Sequence, residues 1–438
     1  MDYFQLLKKQ AQQRNAKKFI ITAAGAHSYQ EVYQDVLVFA QKYQAVFPQQ
    51  HTAVLIFLQD VYDQLVAFLG CMALGQVPVL AHFDLPRAAL QQLKAKNSLA
   101  YSLTKEGLSK AEAFSPIVCQ AEVCMGVLSS GSTDVPKVMY RTYASWADFF
   151  PEQNKMFLIE AASVVFLEGS MSFTGNLSFW AGVLYAGATV IISEKLNCRR
   201  WLWAIETYQV KVIYLVPTKL RLLAKFLQQA YPSVQMLVAG SQLLETALAQ
   251  TLKKGFPQSQ IILYYGASEL NYITALTYEE LLLQPLSVGK AVPGVKVTAQ
   301  DGYIYVDTPY HVEGINCPYT LQDRGYFNSA GYLIFQGRAG DVVNKGGFKI
   351  NCTRVLNVLL QIPGVQNAVV LPYGQKAKGA EIAAFLVTAK ELSQIEVRQK
   401  LKKLLQPAEI PKKFFLVKEI PLNSLGKVNT KALRALIK

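Results

Sequence analysis

The feature that most constrains the fold of this chain is a recurring alternation of short apolar runs with amphipathic helical segments. The first apolar run covers residues 53–57, and Asp60 is placed to cap a helix whose apolar residues at 65–72 share one face. Gly75 would end this helix, and the apolar residues 77–80 would form the next strand. The segment therefore predicts a β-α-β unit.

The same alternation returns twice further along the chain. A strand at 188–192 is followed by a helix from about 199 to 208 and a strand at 210–217, and a helix near 243–254 precedes a strand at 261–266. Apolar strands that alternate with helices are typical of parallel, doubly wound sheets. We therefore predict the α/β class, with a large N-terminal domain built on doubly wound sheets.

The pattern changes near residue 286. Short strands with glycine turns, such as 302–306 and 331–335, predict a small β-subdomain. A compact α+β unit follows, and its second helix begins with a capping box formed by Ser393 and Glu396. A chain of 438 residues is too long for one ordinary core, so we expect more than one domain. We place the main boundary at Asp341, where the α+β unit begins, which gives domains at 1–340 and 341–438.

The composition indicates a well-packed globular enzyme, since 51% of the residues are hydrophobic and 17% are charged. The six cysteines show no CxxC pair and the four histidines lie far apart in the sequence. This favours reduced thiols and disfavours a histidine-based catalytic or metal site. The longest apolar stretch is too short to span a membrane, and the first residues lack the pattern of a secretory signal. We therefore expect a cytoplasmic protein without a transmembrane segment.

The positive charge is concentrated near the C-terminus. Residues 342–438 carry 17 Lys and Arg against 5 Asp and Glu, so they account for +12 of the net charge of +14. A basic surface can attract nucleic acid, an anionic membrane, an acidic protein or a phosphorylated cofactor. A solvated surface without a partner explains the charge equally simply, and we expect no nucleic acid partner.

One polar loop, "LSSGSTDVPK" at 128–137, has a composition suited to holding an anion. It offers four hydroxyl side chains, Gly131 and Lys137, and loop N–H groups with hydroxyls can surround phosphate oxygens. It is not a P-loop, because no lysine and Ser/Thr follow a second glycine. Taken alone, such a loop is more often a flexible connection. Asp134 also places a negative charge in its middle.

Three further motifs occur after this loop. "YYGASEL" at 264–270 would present Glu269 at the carboxyl end of a strand, "DRGYFN" begins at Asp323, and "PLNSLGK" ends at Lys427. Together with "SVGKAVPGV" at 287–295, these ordered motifs closely resemble the superfamily of adenylate-forming enzymes. That superfamily includes acyl-CoA synthetases, peptide-synthetase adenylation domains and luciferases. The resemblance runs from about residue 30 to the end of the chain.

The resemblance implies a role for each matching residue. The residues that would contact ATP lie in the loop over its β- and γ-phosphates, at the ends of nucleotide-binding strands and beside the ribose. They are Ser129, Ser130, Gly131, Ser132, Thr133, Lys137, Ala239, Gly240, Ser241, Tyr265, Gly266, Ser268, Asp323 and Arg338. Among these, the Tyr265 ring would stack on the adenine and Asp323 would accept hydrogen bonds from the ribose. Glu269 would ligate Mg²⁺, a hard cation that prefers carboxylate oxygen. Lys427 would bridge the reacting carboxylate and the α-phosphate. In isolation, a strand-end carboxylate, a turn aspartate and a solvated lysine would be simpler explanations.

The resemblance also implies a reaction in two halves. A carboxylate attacks the α-phosphorus of ATP to give an acyl-adenylate and pyrophosphate, and a thiol then displaces AMP. Lys137, Glu269 and Lys427 would be the catalytic residues, because two anions must be brought together. The C-terminal domain would move about Asp341 to present Gly346 and Gly347 to the pantetheine arm of CoA. Its basic residues would suit CoA phosphates or an acidic carrier protein.

The choice of acid depends on the segment 172–189, which aligns with the stretch where amino-acid-activating relatives carry an aspartate. Here that position is Thr174, and a buried ammonium without a carboxylate partner would be costly. A fatty acid or another hydrophobic carboxylic acid is therefore favoured, with Phe173 and Thr174 at the acyl pocket. Trp180 and Tyr185 would line that pocket or, equally well, pack in the core.

Asp134 is the main departure from the family pattern, which has glycine at this position. Aspartate tolerates a positive φ, but its charge near phosphate predicts slower adenylation. We expect Asp134→Gly to raise kcat/KM for ATP. Three functions fit these residues: an acyl-CoA synthetase, a ligase that acylates the phosphopantetheine of a carrier protein, and a degenerate nucleotide-binding relative.

Overall fold

The structure is a computed structural model that describes residues 1–47, 50–129, 135–338, 342–345, 348–374, 381–388, 392–422 and 428–437. The chain divides into two compact units. The first unit comprises Met1–Tyr278, Ala291–Val295 and Thr308–Cys317. The second unit comprises Glu279–Lys290, Lys296–Asp307 and Pro318–Lys438. The predicted boundary at Asp341 lies outside the described residues and stays a prediction.

The first unit contains fourteen described strands and ten described helices. The strands are β1 (Lys18–Ile21), β2 (Ala26–Ser28), β3 (Ala53–Ile56), β4 (Val77–Leu80), β5 (Tyr101–Thr104), β6 (Gly107–Lys110), β7 (Val123–Leu128), β8 (Val138–Thr142), β9 (Val164–Glu168), β10 (Thr189–Ser193), β11 (Val212–Tyr214), β12 (Met236–Gly240), β13 (Gln260–Ala267) and β14 (Asn271–Thr277). The helices are α1 (Tyr3–Gln13), α2 (Tyr29–Tyr43), α3 (Val61–Ala73), α4 (Arg87–Lys96), α5 (Ala144–Ala147), α6 (Phe150–Met156), α7 (Thr174–Ala186), α8 (Cys198–Thr207), α9 (Pro217–Ala224) and α10 (Thr246–Gly255).

Most neighbouring strands of the first unit pair in parallel. One set has the order β14-β13-β12-β11-β9-β10-β1-β2, with parallel pairing from β13 through β1. The other has the order β6-β5-β3-β4-β7-β8, with parallel pairing from β5 through β7. The predicted α/β class with parallel sheets is confirmed. The carboxyl ends of β9, β11, β12 and β13 therefore lie at one edge, where α/β proteins bind ligands.

Helix α3 forms where the sequence predicts it. The Asp60 carboxylate accepts hydrogen bonds from the backbone N–H groups of Tyr62 at 2.8 Å and Asp63 at 3.0 Å, which satisfies two donors of the first turn. Gly75 follows the helix with φ of +70°, a conformation that favours glycine. The strands β3 and β4 on either side pair in parallel, so this segment is the predicted β-α-β unit.

Helix α10 begins later than the sequence predicts. The prediction starts it near residue 243, whereas the structure starts it at Thr246 with Glu245 as the N-cap. The preceding residues are used otherwise: Ser241 has φ of +68°, and the Gln242 side chain accepts a hydrogen bond from the Thr218 N–H at 3.2 Å. Both features keep the chain out of the helical conformation until Glu245.

The second unit contains mainly antiparallel strands. Its strands are β15 (Ser287–Ala291), β16 (Lys296–Gln300), β17 (Tyr303–Asp307), β18 (Asp323–Phe327), β19 (Leu333–Arg338), β20 (Val342–Lys345), β21 (Phe348–Asn351), β22 (Val365–Tyr373), β23 (Glu381–Thr388) and β24 (Lys413–Leu416). Its helices are α11 (Tyr278–Leu283), α12 (Cys352–Gln361), α13 (Gln394–Lys402) and α14 (Thr430–Ala435). Strands β16 to β19 pair antiparallel, as expected of the β-subdomain, and β22-β23-β24 form the sheet of the α+β part. The capping box predicted for Ser393 and Glu396 is present at the start of α13.

The described helices include none that is long and apolar enough to cross a membrane. All six cysteines are free thiols, in agreement with the prediction from their spacing.

Candidate active site

The predicted phosphate loop is closed at its base by two hydrogen bonds. The Ser129 N–H donates to the Lys137 carbonyl at 2.9 Å, and the Lys137 N–H donates to Ser129 Oγ at 2.9 Å. Ser129 follows the carboxyl end of β7, and the Lys137 side chain is exposed. Ser130, Gly131, Ser132, Thr133 and Asp134 lie outside the described residues. The structure thus fixes the two ends of the loop next to each other.

The end of α4 holds the C-terminal arm of this loop. The Lys96 ammonium donates to the Val135 carbonyl at 2.7 Å. The Asn97 amide donates to the Pro136 carbonyl at 2.9 Å, and its Oδ1 accepts from the Val138 N–H at 2.8 Å. No sequence pattern signals this anchor, because the hydrogen-bonded groups lie about forty residues apart and involve backbone carbonyls.

The end of β13 presents Ser268 and Glu269 in a tight turn. A Cβ on Gly266 would lie 2.5 Å from the Asn271 carbonyl oxygen, so this position requires glycine. Asn271 has φ of +61°, as asparagine tolerates, and it begins β14. Ser268 and Glu269 are half-buried, and the Glu269 carbonyl accepts from the Val312 N–H at 2.9 Å. Glu269 therefore sits at a strand end, as predicted.

Thr174 joins the predicted acyl segment to this turn. Its hydroxyl lies 2.8 Å from the Ser268 hydroxyl, a hydrogen-bond distance. The same hydroxyl lies 3.5 Å from the carbonyl of Leu128, the last residue of β7 and the first residue of the segment 128–137. Three predicted motifs, which are far apart in the sequence, thus meet around one side chain.

The wall predicted for the adenine is formed by the ends of β12 and β13. Ala239 and Gly240 are the last residues of β12, and a Cβ on Gly240 would lie 2.5 Å from the Tyr264 ring. The Tyr264 hydroxyl is buried and hydrogen-bonded to the Tyr214 hydroxyl at 2.8 Å. Successive side chains of a strand face opposite sides, so Tyr265, which is half-buried, faces away from Tyr264. Ser241 follows with its positive φ.

Arg141 is a functional candidate that the sequence analysis missed. Its side chain is fully buried, and its guanidinium donates to the Ser268 carbonyl at 2.7 Å, the Tyr310 carbonyl at 3.1 Å and Ser145 Oγ at 3.2 Å. Burial lowers the pKa of Arg141 to about 10, and the nearby Glu269 charge is among the groups that oppose this shift. Arg141 therefore remains charged at neutral pH and fixes the backbone of the Ser268–Glu269 turn.

A buried ion pair lies beside the predicted acyl segment and was also missed. Glu168 ends β9 and Lys219 lies in the first turn of α9, and their side chains are 6% and 7% exposed, respectively. Burial raises the pKa of Glu168, and the Lys219 charge opposes that rise. The Asn176 amide, in the first turn of α7, donates to the Glu168 carbonyl at 3.1 Å. The pair thus borders the helix that carries Thr174.

The aromatic residues considered for the acyl pocket occupy different places. The half-buried Phe173 ring lies edge-on to the His82 ring, with centroids 5.6 Å apart. Trp180 is fully buried and packs against Phe19 and Phe68 in the core. Tyr185 is exposed at the other end of α7. Of the three, only Phe173 lies next to Thr174.

In the second unit, the structure brings Asp323 and Arg338 together. They face each other on β18 and β19, and Arg338 Nε donates to Asp323 Oδ1 at 3.2 Å. The Asp323 carboxylate is almost fully buried, whereas the Arg338 side chain is 54% exposed. The other residues predicted for this part of the chain, Asp341, Gly346, Gly347 and Lys427, lie outside the described residues.

The described residues contain no group of three or more His, Cys, Asp or Glu side chains that could hold a metal ion. Glu269 is a single half-buried carboxylate. This donor set fits Mg²⁺, because Mg²⁺ is usually held by one or two carboxylates together with substrate phosphates.

Two family models match the chain. "AMP-binding enzyme" matches residues 94–314, and "AMP-binding enzyme C-terminal domain" matches residues 355–427. The chain is 26% identical to an uncharacterized acyl-CoA ligase of Bacillus subtilis, over 68% of this chain and 66% of that protein. It is 25% identical to a putative long chain fatty acid-CoA ligase of Staphylococcus haemolyticus, over 68% of this chain and 67% of that protein. The chain thus spans about two thirds of the length of these relatives.

The fold is that of solved adenylate-forming enzymes. o-Succinylbenzoate coenzyme A synthetase from Bacillus subtilis, solved in complex with ATP and magnesium ion, matches with a TM-score of 0.81 and 21% identity, over 98% of this chain and 99% of that chain. ATP-bound MatB from Rhodopseudomonas palustris matches with a TM-score of 0.82 and 21% identity, over 100% and 99%. The resemblance predicted from the motifs is confirmed.

Proposed function

The chain belongs to the AMP-binding enzyme family, and from this premise we propose that it is an ATP-dependent acid–thiol ligase. It would activate a hydrophobic carboxylic acid as an acyl-adenylate and transfer the acyl group to CoA. The observation that carries the proposal is the hydrogen bond between Thr174 and Ser268, because it joins the acyl segment, the end of β7 and the Glu269 turn at one place.

The residues to which we assign roles suit a reaction between two anions. Lys137, at the end of the phosphate loop, would neutralise charge on the β- and γ-phosphates, and Lys427 would do so at the α-phosphate and the attacking carboxylate. Glu269 would hold Mg²⁺, which supplies further positive charge when bound. Arg141 would keep the Glu269 turn in place. In the second unit, the buried Asp323 carboxylate would accept hydrogen bonds from the ribose hydroxyl groups.

A hydrophobic acid is favoured over an amino acid. Thr174 stands where a carboxylate would be needed to pair with a substrate ammonium, and its hydroxyl already bonds Ser268. The nearby buried carboxylate, Glu168, is paired with Lys219. An ammonium group would therefore be buried without a partner, which is costly.

The test is ATP–pyrophosphate exchange across a panel of fatty, aryl and amino acids. We expect exchange with one or more hydrophobic acids and none with amino acids. Glu269→Ala and Lys427→Ala should reduce exchange by about 10² or more, since each removes charge stabilisation from the transition state. Glu122→Ala and Lys418→Ala, which remove exposed charges, are the matched controls. Unchanged exchange in the first two variants would refute the proposal.

Acylation of a carrier protein is the second candidate, favoured by the net charge of +12 at residues 342–438. Thioester formation should be compared with free CoA and with an acidic carrier protein bearing phosphopantetheine. Faster acyl transfer to the carrier protein than to free CoA would favour a carrier-protein ligase. Absence of exchange with every acid, together with retained ATP binding, would indicate a degenerate nucleotide-binding protein. A cytoplasmic location remains a prediction from the sequence.

A further inference from the structure

A cluster of exposed apolar side chains lies on the first unit, apart from the candidate active site. Leu196 is 52% exposed, Trp203 is 55% exposed and Phe226 is 39% exposed. Leu196 lies just before α8, Trp203 lies within it, and Phe226 follows α9. Contiguous exposed apolar patches often mark sites that bind a protein or a membrane.

These side chains belong to one surface. The Arg199 guanidinium lies 6.0 Å from the Phe226 ring centroid, which joins α8 to the end of α9. Trp203 is four residues after Arg199 and therefore lies one turn further along the same helix face. Leu196 precedes Arg199 by three residues. The opposite face of α8 is buried through Trp201, Leu202 and Ile205.

Four cations lie next to or within a few residues of these apolar side chains in the sequence. Lys195, Arg199, Arg200 and Lys225 are all exposed. Two carboxylates lie near these cations in the sequence. Glu194, next to Lys195, accepts a hydrogen bond from the Val61 N–H at 3.1 Å. Glu206, on α8, accepts one from the Gln229 amide at 3.1 Å. We call the surface formed by Leu196, Trp203, Phe226 and these four cations the Trp203 surface.

We propose that the Trp203 surface binds reversibly to anionic lipid membranes. Protein surfaces that lie at a membrane interface combine Trp, Phe and Leu with Lys and Arg, and the Trp203 surface has these residue types. The aliphatic stems of lysine and arginine can lie along the apolar region while their charges reach lipid headgroups. Anionic headgroups supply the complementary charge. The proposal is independent of the reaction that the enzyme catalyses.

A protein partner fits this surface less well. Protein interfaces are depleted in lysine at their cores, and a stable interface needs about 800 Å² from each partner. Three apolar side chains with four cations among them match neither property. A membrane needs no shape complementarity, and it favours each added cation through its surface potential.

Trp203 provides a direct probe of binding. The other three tryptophans, Trp146, Trp180 and Trp201, are fully buried, so the solvent-sensitive part of the fluorescence comes from Trp203. On addition of vesicles of phosphatidylserine and phosphatidylcholine, we expect the emission to shift to shorter wavelength and acrylamide quenching to fall. Vesicles of phosphatidylcholine alone should give little change, and added salt should reverse the effect of the anionic vesicles.

Cosedimentation with the same vesicles measures affinity. Arg199→Glu/Arg200→Glu should weaken binding by about tenfold or more, because each cation near an anionic surface contributes about a fivefold factor and two cations are lost. Trp203→Phe should remove the spectral shift while retaining much of the binding. Lys402→Glu/Lys403→Glu is the matched control, since it makes the same charge change at exposed positions of the more basic second unit. Circular dichroism and Tm should show that each variant is folded.

Three results would overturn the proposal. Binding equal to parent in Arg199→Glu/Arg200→Glu is the first, and a larger loss in the Lys402→Glu/Lys403→Glu control is the second. The third is sedimentation velocity showing that the parent self-associates and that Trp203→Ala abolishes this, which would assign the surface to a second copy of the chain. Exchange activity with a short, water-soluble acid should be the same in all these variants and the parent.

Discussion

Arg141 shows how a single buried charge can hold a strand-end turn. It donates to two backbone carbonyls, those of Ser268 and Tyr310, which lie 127 and 169 residues further along the chain. A buried acceptor that loses its donor costs about 1–3 kcal/mol. The position of Glu269 therefore depends on a side chain outside the motif that contains it.

We expect Arg141→Lys to impair ATP use more than acid use. Lysine keeps the charge, but its compact ammonium cannot reach the three separate acceptors that the planar guanidinium spans, so the free energy of unfolding should fall by about 2–3 kcal/mol. The misplaced turn should lower kcat/KM for ATP by about 10² and raise the Mg²⁺ concentration needed for half-maximal exchange. Denaturation by urea and exchange kinetics against Mg²⁺ measure the two effects.

The matched control for that variant is Arg398→Lys. Arg398 also donates to two backbone carbonyls, those of Pro411 and Lys412, but its side chain is exposed. It should change stability by less than about 1 kcal/mol and leave the Mg²⁺ requirement as in the parent. If Arg141→Lys and the parent needed the same Mg²⁺ concentration, Arg141 would not be positioning Glu269.

The Glu168–Lys219 pair makes a second prediction. Removing one partner of a buried ion pair leaves an uncompensated charge, so Lys219→Met should destabilise the protein by about 3–5 kcal/mol at pH 7. The double variant Glu168→Gln/Lys219→Met should be less destabilised than the single one. Urea denaturation measures both, and Lys105→Met, which disrupts an exposed pair with Glu106, should leave the stability close to that of the parent.

The pH dependence of stability distinguishes the loss of this ion pair from a simple loss of packing at Lys219. Burial already raises the pKa of Glu168 in the folded protein, and loss of Lys219 should raise it further. A group whose folded pKa is raised binds its proton more tightly when folded, so stability falls as pH rises from the unfolded pKa through the folded one. Lys219→Met should therefore be less destabilised at pH 5 than at pH 7. If Lys219→Met lost the same free energy of unfolding at both pH values, an uncompensated charge on Glu168 would not be the cause.

At the residue level, the sequence identified groups that belong to ordered motifs but missed those that hold them. Glu269 and Thr174 were recognised from their motifs, and the structure places them at one edge. Arg141, Glu168 and Lys219 belong to no motif, and their partners are backbone groups or side chains distant in sequence. Arg141 did carry a signal, since it is a charged residue within the apolar run of β8. A charge in such a run must find buried partners.

Capping is the feature of the helices that the sequence predicts best, because a capping box is local. Helix α2 has such a box: the Ser28 N–H donates to the Glu31 carboxylate at 2.5 Å, and the Glu31 N–H donates to Ser28 Oγ at 3.2 Å. The one predicted at Ser393 and Glu396 is equally local. The start of α10 was misplaced because its delay depends on Gln242 and Thr218, which are distant in sequence.

The capping box of α2 predicts a pH-dependent contribution to stability. Hydrogen bonds from the Ser28 backbone and hydroxyl lower the pKa of Glu31 to about 2. A depressed carboxyl pKa gives stability that is present above the unfolded pKa and is lost as pH falls towards the folded one. Glu31→Gln should therefore lower Tm at pH 7, and its difference from the parent should shrink between about pH 4.5 and pH 2.

Glu112→Gln, at an exposed position outside any capping box, is the control for that measurement and should follow the parent at each pH. A Tm difference between Glu31→Gln and the parent that stays constant down to pH 3 would show that the carboxylate form is not what stabilises the helix start.

At the scale of the whole molecule, the C-terminal residues have cores of their own. One cluster of buried side chains joins Val343 and Ile350 to α12, β22, β23 and α13, and a second joins β22 and β23 to α14. Every residue of both clusters lies between 343 and 437. The described contacts to the preceding strand include the hydrogen bond from the Asn351 amide to the Gln336 carbonyl. This arrangement supports a domain that begins near the proposed boundary at Asp341.

We therefore expect residues 342–438, expressed alone, to fold and to unfold cooperatively with urea. Because this segment carries a net charge of +12, repulsion among its cations should weaken the fold at low ionic strength. Its Tm should rise as sodium chloride increases from 20 to about 200 mM, over which the screening length falls from roughly 20 Å to below 10 Å. A fragment that starts at residue 355 lacks Val343, Ile350 and Cys352 of the larger cluster, so it should be much less stable or unfolded. If both fragments behaved as unfolded chains, the C-terminal residues would depend on the β-subdomain for their fold, and the boundary would have to be placed before β18.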